Sequence, residues 1–183
     1  MLPAGPLMIE HRLIEQAISL IKKESELILS TGRVDLSLLT DMVDFMRTYA
    51  DRCHHGKEED ILFRVLESKD MTEEHRAMMA RLVDDHRRSR ALTSSLNDLL
   101  VPFRRGERGA VEEVVEILQA LSTVYPDHIE REDKHFFPVA MKYLSTEERD
   151  NMLKEFQEFD GKLVHEHYKA EVERMKAHLG VQP

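Results

Sequence analysis

The sequence has a single cysteine, no tryptophan, seven glycines and six prolines among its 183 residues. The lone cysteine, Cys53, excludes an intrachain disulfide. The scarcity of glycine and proline, beside abundant Leu, Glu, Arg and Met, favours helices over sheets or long loops. We therefore predict an all-α protein. Its length fits a single domain, residues 1–183, with a substantial buried core.

Three further absences limit the possible partners. No apolar run approaches the roughly 18 residues that a membrane-spanning helix needs, and the amino terminus lacks the basic-then-apolar pattern of a signal peptide. No long basic stretch is present, and the formal net charge of -9 would repel a phosphate backbone. We expect a cytoplasmic protein that binds neither a membrane nor nucleic acid.

Apolar residues recur at helical spacing over five segments, separated by Gly, Pro and capping residues. The five predicted helices span about 7–30, 37–67, 72–101, 110–144 and 146–179. The first four predict an up-down-up-down four-helix bundle over about 7–144, because short connections make consecutive helices antiparallel. The fifth is an additional C-terminal helix whose apolar stripe includes Leu163. Pro126 is expected to kink the fourth helix, and Pro138 to make its end irregular.

A His-x-x-x-Glu motif occurs twice, as His54 with Glu58 and as His128 with Glu132. Residues four apart lie on the same face of a helix, so each copy aims an imidazole and a carboxylate at one point. Chance readily produces one such pair in a Glu-rich helix. Here a lone His after an acidic residue also recurs at nearly the same offset, in Glu10-His11 and Asp85-His86. The bundle is therefore predicted to consist of two repeated helix pairs.

Reflecting each of these histidines about the adjoining turn brings all four to one level of an antiparallel bundle. Burying four imidazoles and two carboxylates without a cation would cost several kcal/mol, so the layer predicts a metal site. Its predicted ligands are His11, His54, Glu58, His86, His128 and Glu132. With no thiolate in the set, a pair of iron or manganese ions bridged by Glu58 and Glu132 is favoured over a structural zinc site, although zinc also accepts these ligands. A metal-free structural bundle is the alternative.

Neighbouring residues offer other assignments. A one-residue shift would replace the first pair by His55 and Glu59. Both are better interpreted as outer support, because a metal-bound imidazole usually donates its other N–H to a carboxylate or carbonyl. The same supporting role is predicted for Glu10, Asp85 and Asp133.

The fifth helix and the start of the third carry further histidines. His165 is an extra candidate ligand, and Asp160 mirrors His128 about the turn near residue 144. The simpler interpretation of the fifth helix is an amphipathic cover with solvated histidines. His75 lies about 16 Å from His86 along the third helix, at 1.5 Å per residue, so it is not assigned to the site.

Together these residues resemble the hemerythrin-like, or HHE cation-binding, family. The resemblance rests on the order His, His-x-x-x-Glu, His, His-x-x-x-Glu, followed by Phe-Phe-Pro, and covers about residues 7–144. It implies a four-helix bundle with an oxo- or hydroxo-bridged di-iron centre. The function it implies is to bind dioxygen, or to sense or turn over oxidants. We therefore predict a protein that binds or senses dioxygen or nitric oxide, or handles iron.

Two positions depart from the oxygen-carrying members of that family. Those members place two histidines one turn apart on the third helix, where this chain has Leu82 and Arg90 on either side of His86. One iron is therefore expected to lack a ligand. They also end with an Asp five residues after the last His; Asp133 has that spacing, but Glu132 matches the first motif. A more open iron favours redox chemistry, so an oxidoreductase that decomposes hydrogen peroxide is the alternative function.

Overall fold

The computed structural model describes residues 1–107, 109–161 and 164–181. Throughout these residues the regular structure is helical, without a strand. The helices are α1 (Ala4–Thr31), α2 (residues 36–67), α3 (Glu73–Arg104), α4 (residues 111–143), α5 (Thr146–Asp160) and α6 (Val164–His178). Within the described part of the chain, no helix is long and apolar enough to cross a membrane.

The helix ends follow the predicted capping residues. Asp35 caps α2 and Thr72 caps α3, each through a side-chain oxygen that accepts a backbone N–H of the first turn. Ser145 and Glu148 form a reciprocal capping box at the start of α5. Gly32 ends α1 with a φ of 65°, a conformation that glycine adopts without strain.

Helices α1 to α4 form the predicted four-helix bundle, with α1 against α4, α4 against α3, and α3 against α2. Its interior contains two apolar clusters separated by a polar layer. One cluster includes Ile14, Leu39, Ala50, Leu96 and Leu118. The other includes Leu7, Phe63, Leu82, Phe136 and Phe156. The four predicted histidines fall between these clusters along each helix, so apolar packing on both sides fixes the layer.

Helices α2 and α4 leave α-helical geometry where they pass the polar layer. Helix α2 contains the π-helical stretches Met46–His55 and Glu58–Phe63, and α4 contains Glu132–Phe136. The turn of a π-helix is wider than that of an α-helix, so consecutive side chains are rotated by less than 100°. Adjacent residues in these stretches can therefore face the same interior.

The α-helical part of α4 is not interrupted at Pro126. It continues to Arg131, and the irregular end lies beyond it, in a π stretch and a final 3-10 turn. The loss of one backbone N–H is tolerated because Val124, Tyr125 and Ile129 are buried on either side of the proline. Tertiary packing outweighs the local defect.

The prediction of one continuous fifth helix over 146–179 is wrong. Helix α5 ends at Asp160, and Gly161 follows with φ 61° and ψ 164°, a combination restricted to glycine. The break lets the two halves cover different clusters, since Met152 and Phe156 of α5 pack on one and Tyr168 of α6 on the other. Leu163, assigned to the stripe of that helix, lies outside the described residues.

Candidate metal centre

Five imidazoles and two carboxylates converge in the polar layer, as two groups that share Glu58. The three-histidine group consists of His55, His86, His128 and Glu58. The two-histidine group consists of His11, His54, Glu58 and Glu132. In each group, one potential ligand atom per residue lies within 4.8 Å of all the others. Every one of these side chains is buried, with at most 3% of its surface exposed.

Both glutamates contact imidazoles of both groups. Glu132 Oε2 lies 3.2 Å from His11 Nε2 and 3.1 Å from His128 Nε2. Glu58 lies 3.6 Å from His54 Nε2 and 3.4 Å from His86 Nε2. Donors about 2.1 Å from one ion, at right angles or tetrahedral angles, are themselves about 3.0 to 3.4 Å apart. The separations are close to those of donor atoms around a bound cation.

The structure brings together all six residues predicted as ligands and adds His55. That side chain does not lie outside the imidazoles as a support. It stacks on His86, with ring centroids 3.9 Å apart, and joins the three-histidine group. An α-helix would turn it about 100° away from His54, but both residues end the π stretch Met46–His55 and both are buried. The sequence signals for it were the consecutive histidines and the spacing of four residues between His55 and Glu59.

The expectation that the third helix leaves one ion a ligand short does not fit this geometry. His55, from the second helix, is the third imidazole of the three-histidine group, in place of a second histidine on α3. Arg90 has a different role: its guanidinium donates to Asp51 over 2.6 Å and to Glu59 over 2.7 Å. Leu82 packs in the apolar cluster beside the layer.

The interior faces of the two glutamates are suited to a cation. All four carboxylate oxygens of Glu58 and Glu132 are buried without a hydrogen-bond partner among the described residues, as is Nε2 of His11 and of His54. Buried carboxylates without partners are costly. A divalent ion would satisfy them, and the donor set of imidazole and carboxylate suits iron, manganese or zinc.

The outer ring nitrogens of the imidazoles face carboxylates. The Nδ1–oxygen distances are 2.7 Å for His11–Asp133, 2.8 Å for His54–Glu10, 2.7 Å for His86–Glu59, 3.5 Å for His55–Asp51 and 3.6 Å for His128–Asp85. Glu10, Glu59 and Asp133 therefore lie at hydrogen-bond distance, in the supporting positions predicted for them, whereas Asp85 lies beyond that distance. Such carboxylates fix the ring orientation and make Nε2 a stronger donor. Sequence reasoning missed Asp51, one turn before His55.

Charge within the layer is balanced between imidazoles and carboxylates. Burial alone would lower the pKa of His11, but the hydrogen bond to Asp133 and the Glu132 carboxylate 3.2 Å from Nε2 outweigh it and raise that pKa to about 10. The pKa of Glu132 is held well below its ordinary range by its three neighbouring imidazoles, which outweigh its burial. His55 is the exception, because burial and nearby cationic imidazoles lower its pKa well below the usual range. A metal ion would displace these imidazole protons on binding.

His165, the extra candidate ligand, lies outside both groups. It belongs to a third cluster with Glu10, Cys53 and Asp160. Its Nε2 lies 2.9 Å from Asp160 Oδ2, its Nδ1 lies 3.1 Å from the Tyr49 hydroxyl, and 42% of its side chain is exposed. His75, which was not assigned to the site, contacts the Tyr143 hydroxyl over 2.7 Å instead.

Comparison of the chain with curated proteins and with solved structures finds no significant match. A family comparison does: residues 4–140 match the hemerythrin HHE cation binding domain. The match includes every residue of both histidine groups and ends before α5. Since it covers most of the chain, this protein belongs to the hemerythrin HHE cation-binding family.

Proposed function

We propose that this protein is a non-haem di-iron protein that binds a small ligand, dioxygen or nitric oxide, at the layer between its two apolar clusters. The observation that carries the proposal is the pair of buried histidine groups sharing Glu58, with four carboxylate oxygens that have no partner in the described chain. One ion would be held by His55, His86 and His128, the other by His11 and His54. Both would share Glu58 and Glu132.

The two groups offer unequal numbers of donors. With both glutamates shared, the three-histidine group supplies five donors and the two-histidine group four. The ion at His11 and His54 would therefore keep one more exchangeable position. Bound iron would supply a redox-active ion that can coordinate a small ligand there. This asymmetry favours coordination of the small ligand at one of the two ions.

The chain itself orients the imidazoles and excludes water. Each Nδ1 faces a carboxylate, which directs the Nε2 lone pair inward. Phe137 stacks on His11 with ring centroids 5.9 Å apart, and Phe63 stacks on His86 at 6.1 Å. These apolar faces restrict access to small molecules and limit hydration of the layer.

Decomposition of hydrogen peroxide is the competing function. The main support for this function is the expected absence of a second histidine ligand on the third helix. The three-histidine group contains His55 instead. Binding and turnover are separated by mixing the reduced protein with dioxygen and the oxidised protein with peroxide. A persistent visible absorption band without oxygen evolution supports the binding protein, whereas sustained oxygen evolution supports the enzyme.

The metal itself is tested by elemental analysis of the purified protein. We expect two iron ions per chain, fewer in His54→Ala, and an unchanged content in the control variant His75→Ala, which alters a histidine outside the layer. Manganese or zinc in place of iron would correct the ion. Metal content below one per chain and insensitive to His54→Ala would refute the centre and support a structural bundle.

A further inference from the structure

A cationic side chain forms an ion pair with every carboxylate that faces an imidazole of the polar layer. The pairs are Asp133 with Arg12, Glu59 and Asp51 with Arg90, Asp85 with Arg131, and Glu10 with Lys57. Each imidazole thus begins a line of imidazole, carboxylate and cation that runs outward from the layer. The cation pairs with its carboxylate and holds it in position.

The cation behind Glu10 differs from the rest. The side chains of Arg12, Arg90 and Arg131 are 54%, 36% and 27% exposed, so water solvates their charged groups. Lys57 is 0% exposed. A buried ammonium is costly unless carboxylates surround it. Lys57 Nζ contacts two of them, Glu10 Oε1 and Asp160 Oδ1.

Lys57 also explains why the third cluster need not hold a metal ion. Its ammonium already lies between Glu10 and Asp160, two of the four residues in that cluster. Burial would lower the pKa of Lys57, but the charge of Glu10 and the hydrogen bonds to both carboxylates outweigh burial and raise it. The ammonium is the resident cation of the cluster.

Asp160 is the last residue of α5, at the break that precedes α6, and lies beyond the family match over 4–140. It is therefore a contribution of the C-terminal helices to the layer. The contacts run from Asp160 Oδ1 to Lys57 Nζ, from Lys57 Nζ to Glu10 Oε1, and from Glu10 Oε2 to His54 Nδ1, the last over 2.8 Å.

We propose that Lys57 and Asp160 are positioning residues for His54, through which the C-terminal helices control how firmly the two-histidine group holds its ion. The inference rests on the proposed function. Asp160 shares the charge of Lys57, and Lys57 in turn leaves Glu10 Oε2 free to accept the His54 N–H. Without the Asp160 charge, the buried ammonium attracts both Glu10 oxygens and weakens the contact with His54.

The test is the loss of iron to a chelator from the loaded, full-length protein, comparing wild type with Asp160→Asn. The amide keeps the shape of the side chain and removes its charge. Because outer partners of metal-bound imidazoles typically contribute 10–100-fold to affinity, we expect one of the two ions to leave about 10-fold faster. The other ion leaves at the wild-type rate. The reduction potential and absorption spectrum of the faster-leaving site shift with it.

Asp35→Asn is the matched control. Asp35 contacts His178 near the far end of α6 over 2.6 Å, with no contact to Lys57, and Asn is an equally good helix cap. This variant weakens one contact of α6, the C-terminal helix that follows Asp160. Its iron-release rates are expected to equal those of wild type, and an effect as large as that of Asp160→Asn would reduce the role of Asp160 to general packing.

A double-substitution cycle tests the route through Lys57. In a Lys57→Met background, Asp160→Asn is expected to have no further effect on iron release, because the proposed route from Asp160 to Glu10 runs through the ammonium. Additive effects would overturn the route, and wild-type release from Asp160→Asn would overturn the proposal. Wild-type protein that retains no iron would instead refute the proposed function, and the inference with it.

Discussion

Replacing His55 by leucine is expected to change stability in opposite directions with and without metal. His55 is 1% exposed, and its Nδ1 has no hydrogen-bond partner within the described chain. A buried unpartnered polar group costs about 1–3 kcal/mol. Leucine has a similar volume and no such group. For a chain of this size about 1 kcal/mol changes Tm by roughly 2–4 °C, so the metal-free variant should melt a few degrees higher than wild type.

In the metal-loaded protein the same change removes a ligand from the three-histidine group. Loss of an outer partner alone weakens metal binding about 10–100-fold, so we expect loss of a direct ligand to weaken it about 1,000-fold. A 1,000-fold weaker affinity removes about 4.1 kcal/mol of metal-linked stabilisation. Set against the gain of about 1–3 kcal/mol from removing the unpartnered group, this leaves a net loss of about 1–3 kcal/mol, and Tm should fall by roughly 2–12 °C. The stabilisation that we expect from His55→Leu in the metal-free protein is therefore reversed in the metal-loaded protein.

Calorimetric melting of both forms, with metal content measured beside it, checks the prediction. Tyr125→Phe is the control, because Tyr125 stacks beside His55 at 6.1 Å but belongs to neither histidine group. A variant that keeps two ions and the wild-type Tm when loaded would show that His55 is not a ligand. Equal losses of Tm in both forms would indicate a packing role.

Three further predictions concern single side chains. Glu58→Gln should abolish tight binding of both ions, because both histidine groups share that carboxylate. Glu59→Gln should weaken the binding of only one ion, by about 10-fold. Metal analysis after gel filtration distinguishes the two variants, and retention of one ion by Glu58→Gln would contradict a shared Glu58. Burial raises the pKa of Cys53 from 9.0 to about 12, which lowers the thiolate fraction at neutral pH about 1,000-fold. A disulfide reagent should therefore modify Cys53 after denaturation but not in the native protein, and fast labelling of the native protein would contradict this expectation. The hydrogen bond from Lys69 is the main cause that lowers the pKa of Glu148 from 4.5 to about 2. The contribution of the ionised Glu148 to stability is present above pH 4.5 and is lost as the pH falls towards 2. Glu148→Gln should narrow the difference in Tm between pH 5 and pH 2.5, and an unchanged difference would exclude this contribution.

The level of the histidine layer could be predicted from the sequence because it depends on spacing alone. Helical periodicity and short turns place His11, His54, His86 and His128 at one height, and the ring centroids of His11 and His54 lie 4.6 Å apart in the structure. The acidic residue preceding His11 and His86 was a usable signal as well. Regular α-geometry is sufficient for each of these inferences.

His55 and the break at Gly161 could not be predicted in this way, since both depend on tertiary packing. The π stretch that turns His55 inward has no distinct residue pattern, and an α-helical wheel rotates it away from His54. At Gly161 the apolar periodicity continues on both sides, which a single helix would also produce. Only the positions of the two apolar clusters explain why α5 and α6 separate there.

The division of donors between the two repeated helix pairs has a consequence for unfolding. His11, His54, His55 and Glu58 come from the first pair, and His86, His128 and Glu132 from the second, so each group draws on both pairs. An ion held there acts as a cross-link between the two halves. Fraying of a helix end would not release it, and metal loss and global unfolding should share one cooperative transition.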